Sequence, residues 1–217
     1  MILKHGIDQV ALIKKFSEAS AKQGETVRKA VHEATLKALQ GRELTLANIR
    51  QVLGTVTRTA SAGAAGSKLP APDVEGLLGK VFAGMDGALE QAVLANQRAL
   101  QQLVDQGVSL RETQLKKALA DIEKMEETLF ASVRKAAPAD GPWSGVFRAM
   151  QGKGTGTGAR ATAALEQLME DTQKSLRDGR AMGLRASQAL IDSYSALVSG
   201  VLIGMSEALK QGAAAKR

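Results

Sequence analysis

The two histidines, His5 and His32, stand far apart in the chain, and cysteine is absent. Without thiols there are no disulfides, zinc–thiolate sites, iron–sulfur clusters or Cys nucleophiles. A Ser or Thr nucleophile lacks its usual imidazole base. A di-iron site of the helical-bundle type needs Glu-x-x-His twice. Glu123 and Glu126 have that three-residue spacing, but no histidine accompanies either. A lone Lys or Tyr base is the one acid–base chemistry left open. The expectation is a non-enzyme with no catalytic residue, no metal, no cofactor and no small-molecule substrate.

The run Gly152-Lys153-Gly154-Thr155-Gly156-Thr157-Gly158 invites a phosphate-binding reading. A P-loop places Gly-Lys-Ser/Thr four residues after its first glycine, behind a strand, so that backbone N–H groups and the lysine surround the phosphates. Here Lys153 precedes the other glycines, and no strand pattern leads into it. The Rossmann spacing fails as well. A mobile Gly/Thr connection is the expected structure.

Two other patterns rise above background. Trp143, Val146, Phe147 and Met150 fall at i, i+3, i+4 and i+7, with Arg148 and Lys153 close by. A short amphipathic helix with aromatics beside cations can sink its apolar side into a lipid boundary while the charges meet anionic headgroups. The competing reading is a helix that caps the bundle, with Trp143 in its core. The second pattern is Ala196, Gly200, Gly204 and Ala208, a small-xxx-small ladder among Leu197, Val198, Val201, Leu202, Ile203 and Met205. Such a seam lets another backbone approach closely, from the same chain or a second copy.

These side chains need elements to hold them, and the sequence supplies helices. Of the 217 residues, 44% are hydrophobic, 24% charged and only 3% aromatic, which predicts a folded protein with an Ala-, Leu-, Val- and Met-rich core. A first helix is predicted over 8–22, with Leu12, Ile13 and Phe16. The next spans 25–40, with Val27, Val31, Ala34 and Ala38 inward, and Glu25–Lys29 and Glu33–Lys37 as i,i+4 pairs. Gly41 sits where a helix C-terminal glycine belongs. Thr45 is a candidate N-cap for a helix striped by Leu46, Ile49, Val52, Leu53, Val56 and Ala60. Residues 61–72, small and Pro-containing, are expected to be a linker.

Asp73 opens a long helical stretch to about Val104, interrupted by Gly76, Gly79, Gly84 and Gly87. Four interior glycines imply either a frayed first half or close backbone packing. Ser109 to Glu112 matches a capping box, and Leu115, Leu119, Ile122, Met125, Leu129 and Val133 continue with coiled-coil-like spacing. The two stretches predict an αα-hairpin. Residues 137–142 break the chain, and from Ala159 the pattern is helical nearly to the end, with a bend near Gly179 or Gly183.

Charge is uneven. Residues 1–72 carry 11 Lys and Arg against 5 Asp and Glu; residues 73–140 carry 8 against 11; residues 141–217 carry 10 against 6. The basic first third permits phosphate contact, but Phe16 is its one aromatic, so base stacking is not on offer there. No signal-peptide layout opens the chain. The longest charge-free stretch towards the C-terminus, 193–206, has 14 residues, short of the about 18 to 20 that span a bilayer. A cytoplasmic protein is expected.

The run ALEQAVLANQRALQQLVDQGVSLRETQLKKALADIEKMEETLFASVRKA, residues 88–136, resembles a phasin. Phasins are low-aromatic helical proteins that coat polyhydroxyalkanoate granules in bacteria. TLKALQGRELTLANIRQVLGTV, residues 35–56, resembles instead a group of uncharacterised bacterial proteins of similar length. Neither resemblance brings catalytic residues. The phasin likeness implies a non-enzymatic helical protein that self-associates and lays apolar faces on a polymer or lipid surface, and so locates it at a granule or membrane surface. The nearly all-round apolar segment 196–205 departs from that pattern and suits a buried helix.

The predicted architecture is all-α: an elongated, mostly antiparallel bundle of about six helices. Its parts are a basic helical region over 1–60, the αα-hairpin over 73–136, a short amphipathic helix over 142–151, and a long C-terminal helix or helix pair over 159–211 packed on the hairpin. The expected partners are further copies of the chain and a polyhydroxyalkanoate granule or anionic membrane surface. An oligomeric scaffold for another protein, and weak nucleic-acid binding through the basic N-terminal region, are the alternatives.

Overall fold

The structure, a computed structural model, describes residues 7–17, 23–40, 44–105, 112–138, 141–150 and 153–177. Among them the elements are seven α-helices: α1 (Gln9–Ser17), α2 (Gly24–Gln40), α3 (Leu46–Ala65), α4 (Ala71–Asp105), α5 (Glu112–Ala136), α6 (Trp143–Met150) and α7 (Gly156–Arg177). No strand is formed among the described residues. The fold is an all-α bundle, and at 1.5 Å per residue the 35-residue α4 is about 50 Å long. No described helix is long and apolar enough to cross a membrane.

Local signals set most helix starts. Asp8 accepts the Ala11 N–H at 3.0 Å and caps α1. Thr45 has extended backbone (φ −110°, ψ 154°), and its hydroxyl accepts the Asn48 N–H at 3.2 Å. Pro70 precedes α4 and Pro72 lies in its first turn, where a missing N–H breaks no helical bond. The expected linker over 61–72 is a correction: the Ala-rich run lets α3 continue to Ala65, and only residues 66–70 connect it to α4. Gly41, the capping-box serine Ser109 and the turn of the predicted hairpin lie outside the described residues.

α4 is the organising element. α2 and α7 lie along it, α3 and α5 also meet it, and α6 packs near its start. Lys80 Nζ donates to Glu25 at 2.5 Å, Gly84 lies against Arg28 and Val31, and Gly87 lies against His32, so α2 and α4 run parallel. α7 advances along α4 in the same sense, from Asp86–Thr157 through Glu90–Arg160 to Gln97–Gln167. α5 runs the other way, with the Phe82 and Phe130 rings 5.4 Å apart and Asn96 beside Asp121 and Met125. α3 is likewise antiparallel to α4, with Thr57 opposite Met85. The α4–α5 pair has the direction of the expected hairpin, but the larger contacts of α4 are with α2 and α7, and those of α5 are with α3 and α7.

The core runs through this arrangement as one cluster, from Phe16 and Val31 through Leu53, Phe82 and Leu89 to Leu129 and Trp143. α3 is enclosed most completely. Its predicted stripe Ile49, Val52, Leu53, Val56 and Ala60 is buried, and so are Thr55, Thr57 and Thr59 beside it. Those hydroxyls donate to the carbonyls of Gln51, Leu53 and Thr55 at 2.8–2.9 Å, so α3 satisfies them without a neighbour's help. The glycines of α4 divide by position. Gly84 and Gly87 face α2, where the backbones come close; Gly76 and Gly79 face open space.

Candidate functional site

The two sequence patterns nearest to chemistry fall at neighbouring places in the bundle. The Gly/Thr run 152–158 is not a mobile loop at its far end: residues 156–158 form the first turn of α7. Gly154 turns the chain at φ 66°, a conformation open to glycine. Thr155 caps the helix, accepting the Gly158 N–H at 2.9 Å. Asp86 of α4 accepts the N–H groups of Gly156 and Thr157 at 2.8 and 2.9 Å. Glu126 of α5 accepts from the Thr155 N–H at 3.1 Å and its hydroxyl at 2.5 Å. The N–H groups that a phosphate would need at a helix start already face two carboxylates of the same chain. This is a structural joint between α4, α5 and α7. Its signal was Thr155 itself, three residues ahead of Gly158; the partner anions lie about 30 and 70 residues away, beyond the reach of local pattern.

The second pattern is α6. Trp143 is 1% exposed and Val146 3%, while Phe147 and Met150 are half-buried. Trp143 Nε1 donates to Ser61 Oγ at 2.9 Å, and Ser61 Oγ donates to the Thr57 carbonyl at the same distance. The indole therefore seals the C-terminal end of α3. As surface anchors, Trp143 and Val146 are corrected: the strongest apolar residues of that face are used up inside the bundle. What reaches the surface is the edge made by Phe147 and Met150.

Arg134 stands at that edge, and further cations lie on the three helices that meet near it. The Arg134 guanidinium lies 5.5 Å from the Phe147 ring centre, within cation–π range. Lys135 follows it at the end of α5, and Arg148 follows Phe147. Across the seam, the Arg58 guanidinium of α3 and the Ala136 side chain of α5 lie 3.4 and 3.9 Å from the point where a Gly54 Cβ would stand. Arg58, Arg134, Lys135 and Arg148 are all exposed. Among the described residues none of the four forms an ion pair. The acid that reaches α6, Glu75 of α4, comes in at Gly145. Elsewhere Arg28 and Lys80 pair with Glu25, and Arg160 pairs with Glu90. Hydrogen bonds from Lys80 and then Arg28 hold the Glu25 carboxyl down from 4.5 to about 2.

The cavities lined by described residues are small. Two voids among the described residues, one lined by Leu12, Phe16 and Ala60 and the other by Asn96, Asp121 and Met125, measure about 10 and 20 Å³, the space of one water. No group of three metal-ligating side chains forms among the described residues. His5 and the seam Ala196, Gly200, Gly204 and Ala208 lie outside the described residues.

No curated protein and no solved structure matches the chain. A family model matches residues 2–211, and the chain belongs to that family, a family of unknown function (DUF6781).

Proposed function

We propose that this member of a family without an assigned activity is a non-enzymatic interaction protein that rests the α6 end of its bundle on an anionic surface. The observation that carries the reading is the Arg134 guanidinium over the half-buried Phe147 ring, with the exposed Lys135 and Arg148 next to these two residues in the chain and no acidic partner for any of the three among the described residues. An anionic membrane or granule boundary supplies the matching charge over an area, and the Phe147–Met150 edge contributes apolar contact. The phasin likeness of residues 88–136 agrees with a surface-associated helical protein. It also agrees with self-association, for which the small-residue ladder Ala196, Gly200, Gly204 and Ala208 is the proposed contact.

The test is flotation of the full chain with vesicles rich in anionic lipid and with isolated polyhydroxyalkanoate granules. Binding should be present at low salt, fall as salt rises, and weaken for the triple substitution Arg134→Ala, Lys135→Ala, Arg148→Ala. Absence of co-flotation at low salt overturns the reading. Light scattering of Gly200→Leu beside the unaltered chain tests the ladder: an unchanged molar mass removes it as a contact. A nucleic-acid mobility shift with a steep salt dependence, in the absence of flotation, would favour phosphate-backbone binding instead.

A further inference from the structure

We propose that the seam between α2 and α4 is a built site for one water-sized, neutral hydrogen-bonding molecule, held by His32, Thr35 and Gln91. The register of the two parallel helices puts these residues at adjacent levels of one seam. The stripe of α4 that faces α2 runs Lys80, Gly84, Gly87, with Gln91 one turn further on. It meets Glu25, then Arg28 and Val31, then His32. Thr35 lies one turn beyond Val31 on the same side of α2, so Thr35 and Gln91 share the next level of the seam. The glycines let the helices close up: a Cβ on Gly87 would stand 3.1 Å from His32 Nδ1.

Three buried polar atoms on this seam have no protein partner: His32 Nδ1, Thr35 Oγ1 and Gln91 Oε1. Buried polar atoms in folded proteins are nearly always hydrogen-bonded, to protein or to an internal water. Thr35 stands out against the threonines of α3. Those donate to the carbonyl four residues back, whereas the Thr35 hydroxyl, on a fully buried residue, does not.

The donor and acceptor inventory selects the occupant. Gln91 Oε1 accepts only, and Nδ1 of a neutral ring with its proton on Nε2 accepts only; the Thr35 hydroxyl is free to donate. A direct Thr35–Gln91 bond would leave the imidazole alone. One molecule with two donors and one acceptor satisfies all three, and water is that molecule. An anion would face two acceptors. A cation would stand near Arg28, one turn before His32 on the same helix.

A double-mutant cycle on the full chain tests the shared occupant. Thr35→Val and Gln91→Met each remove one of its bonds and keep side-chain volume. Each single change should raise the unfolding equilibrium constant roughly five-fold or more, and the double change should raise it by much less than the product of the two. Factors that multiply mean that the groups do not share a partner and overturn the proposal. A second measurement needs no variant: magnetic resonance of the unaltered protein should show a cross-peak between a long-lived water and the Thr35 methyl or His32 ring protons. Its absence also overturns the proposal.

Discussion

Thr157 is tied twice to Asp86: its N–H donates to the Asp86 carboxylate at 2.9 Å and its hydroxyl to the Asp86 carbonyl at 3.0 Å. A single residue of α4 thus fixes both the height and the rotation of α7. The carboxylate also faces the positive end of the α7 dipole. Asp86→Ala should destabilise the protein by about 1–2 kcal/mol, the range for loss of a helix cap with charged hydrogen bonds. Asp86→Asn, which keeps one acceptor oxygen, should lose less. Urea unfolding followed by circular dichroism measures both, and equal losses would mean that the charge and the second oxygen contribute nothing.

Trp143 is the only tryptophan, so its fluorescence reports on one place. Buried against Ser61, it should emit to the blue of free tryptophan and move red on unfolding. Trp143→Ala should cost about 3–5 kcal/mol through the cavity it leaves. Trp143→Phe should cost less, because much of the volume stays and only the Ser61 bond is lost. A native emission maximum equal to that of the unfolded chain would place the indole in water and contradict the plug at the end of α3.

How far the sequence was legible follows from where each signal resides. Thr45 could be read because a cap and the N–H it accepts are three residues apart. The buried stripe of α3 could be read because its period is local. The SAGAA run, read as a linker on its small residues, is helical because alanine continues a helix as readily as it fills a loop. The α7 joint was hidden because glycine and threonine resemble a loop until Asp86 and Glu126 arrive from other helices. The α6 face showed its period but not its direction. Amphipathicity says that Trp143 and Val146 share a side with Phe147, and only the neighbouring Ser61 says that this side is turned inward. Arg148 could be read beside the α6 face because it is local in sequence, whereas Arg134 comes to Phe147 from another helix and left no local signal.

The glycines of α4 give opposed predictions within one helix. A Cβ on Gly84 would lie 2.6 Å from the Arg28 carbonyl oxygen and 3.0 Å from Val31, so α2 would have to move. Gly84→Ala should therefore destabilise by about 1–3 kcal/mol, the usual cost of overpacking, despite its better helix propensity. Gly76 and Gly79 meet nothing within 4 Å. Alanine at either should stabilise by roughly 0.5–1 kcal/mol by restricting the unfolded chain. Thermal melts of the three single variants decide the matter; a gain at Gly84 would show that α2 does not hold its place against α4.

His32 links stability to pH in a direction that its surroundings fix. Burial between α2 and α4 holds its pKa below the ordinary 6.5, and the positive charge of Arg28 adds to this; Glu33, a hydrogen bond to the Gly84 backbone and Glu90 oppose it. The unfolded chain therefore takes up the proton first as pH falls. Stability is complete above 6.5, declines as pH drops below that value, and stops declining once the native ring is itself protonated. Between pH of about 7 and 5.5, where carboxylates contribute little, the unaltered protein should lose stability. His32→Gln, lower in stability at neutral pH, should show a flatter profile over the same interval. Urea midpoints measured across that range test this, and parallel profiles for the two proteins would mean that the imidazole carries no such burden in the folded state.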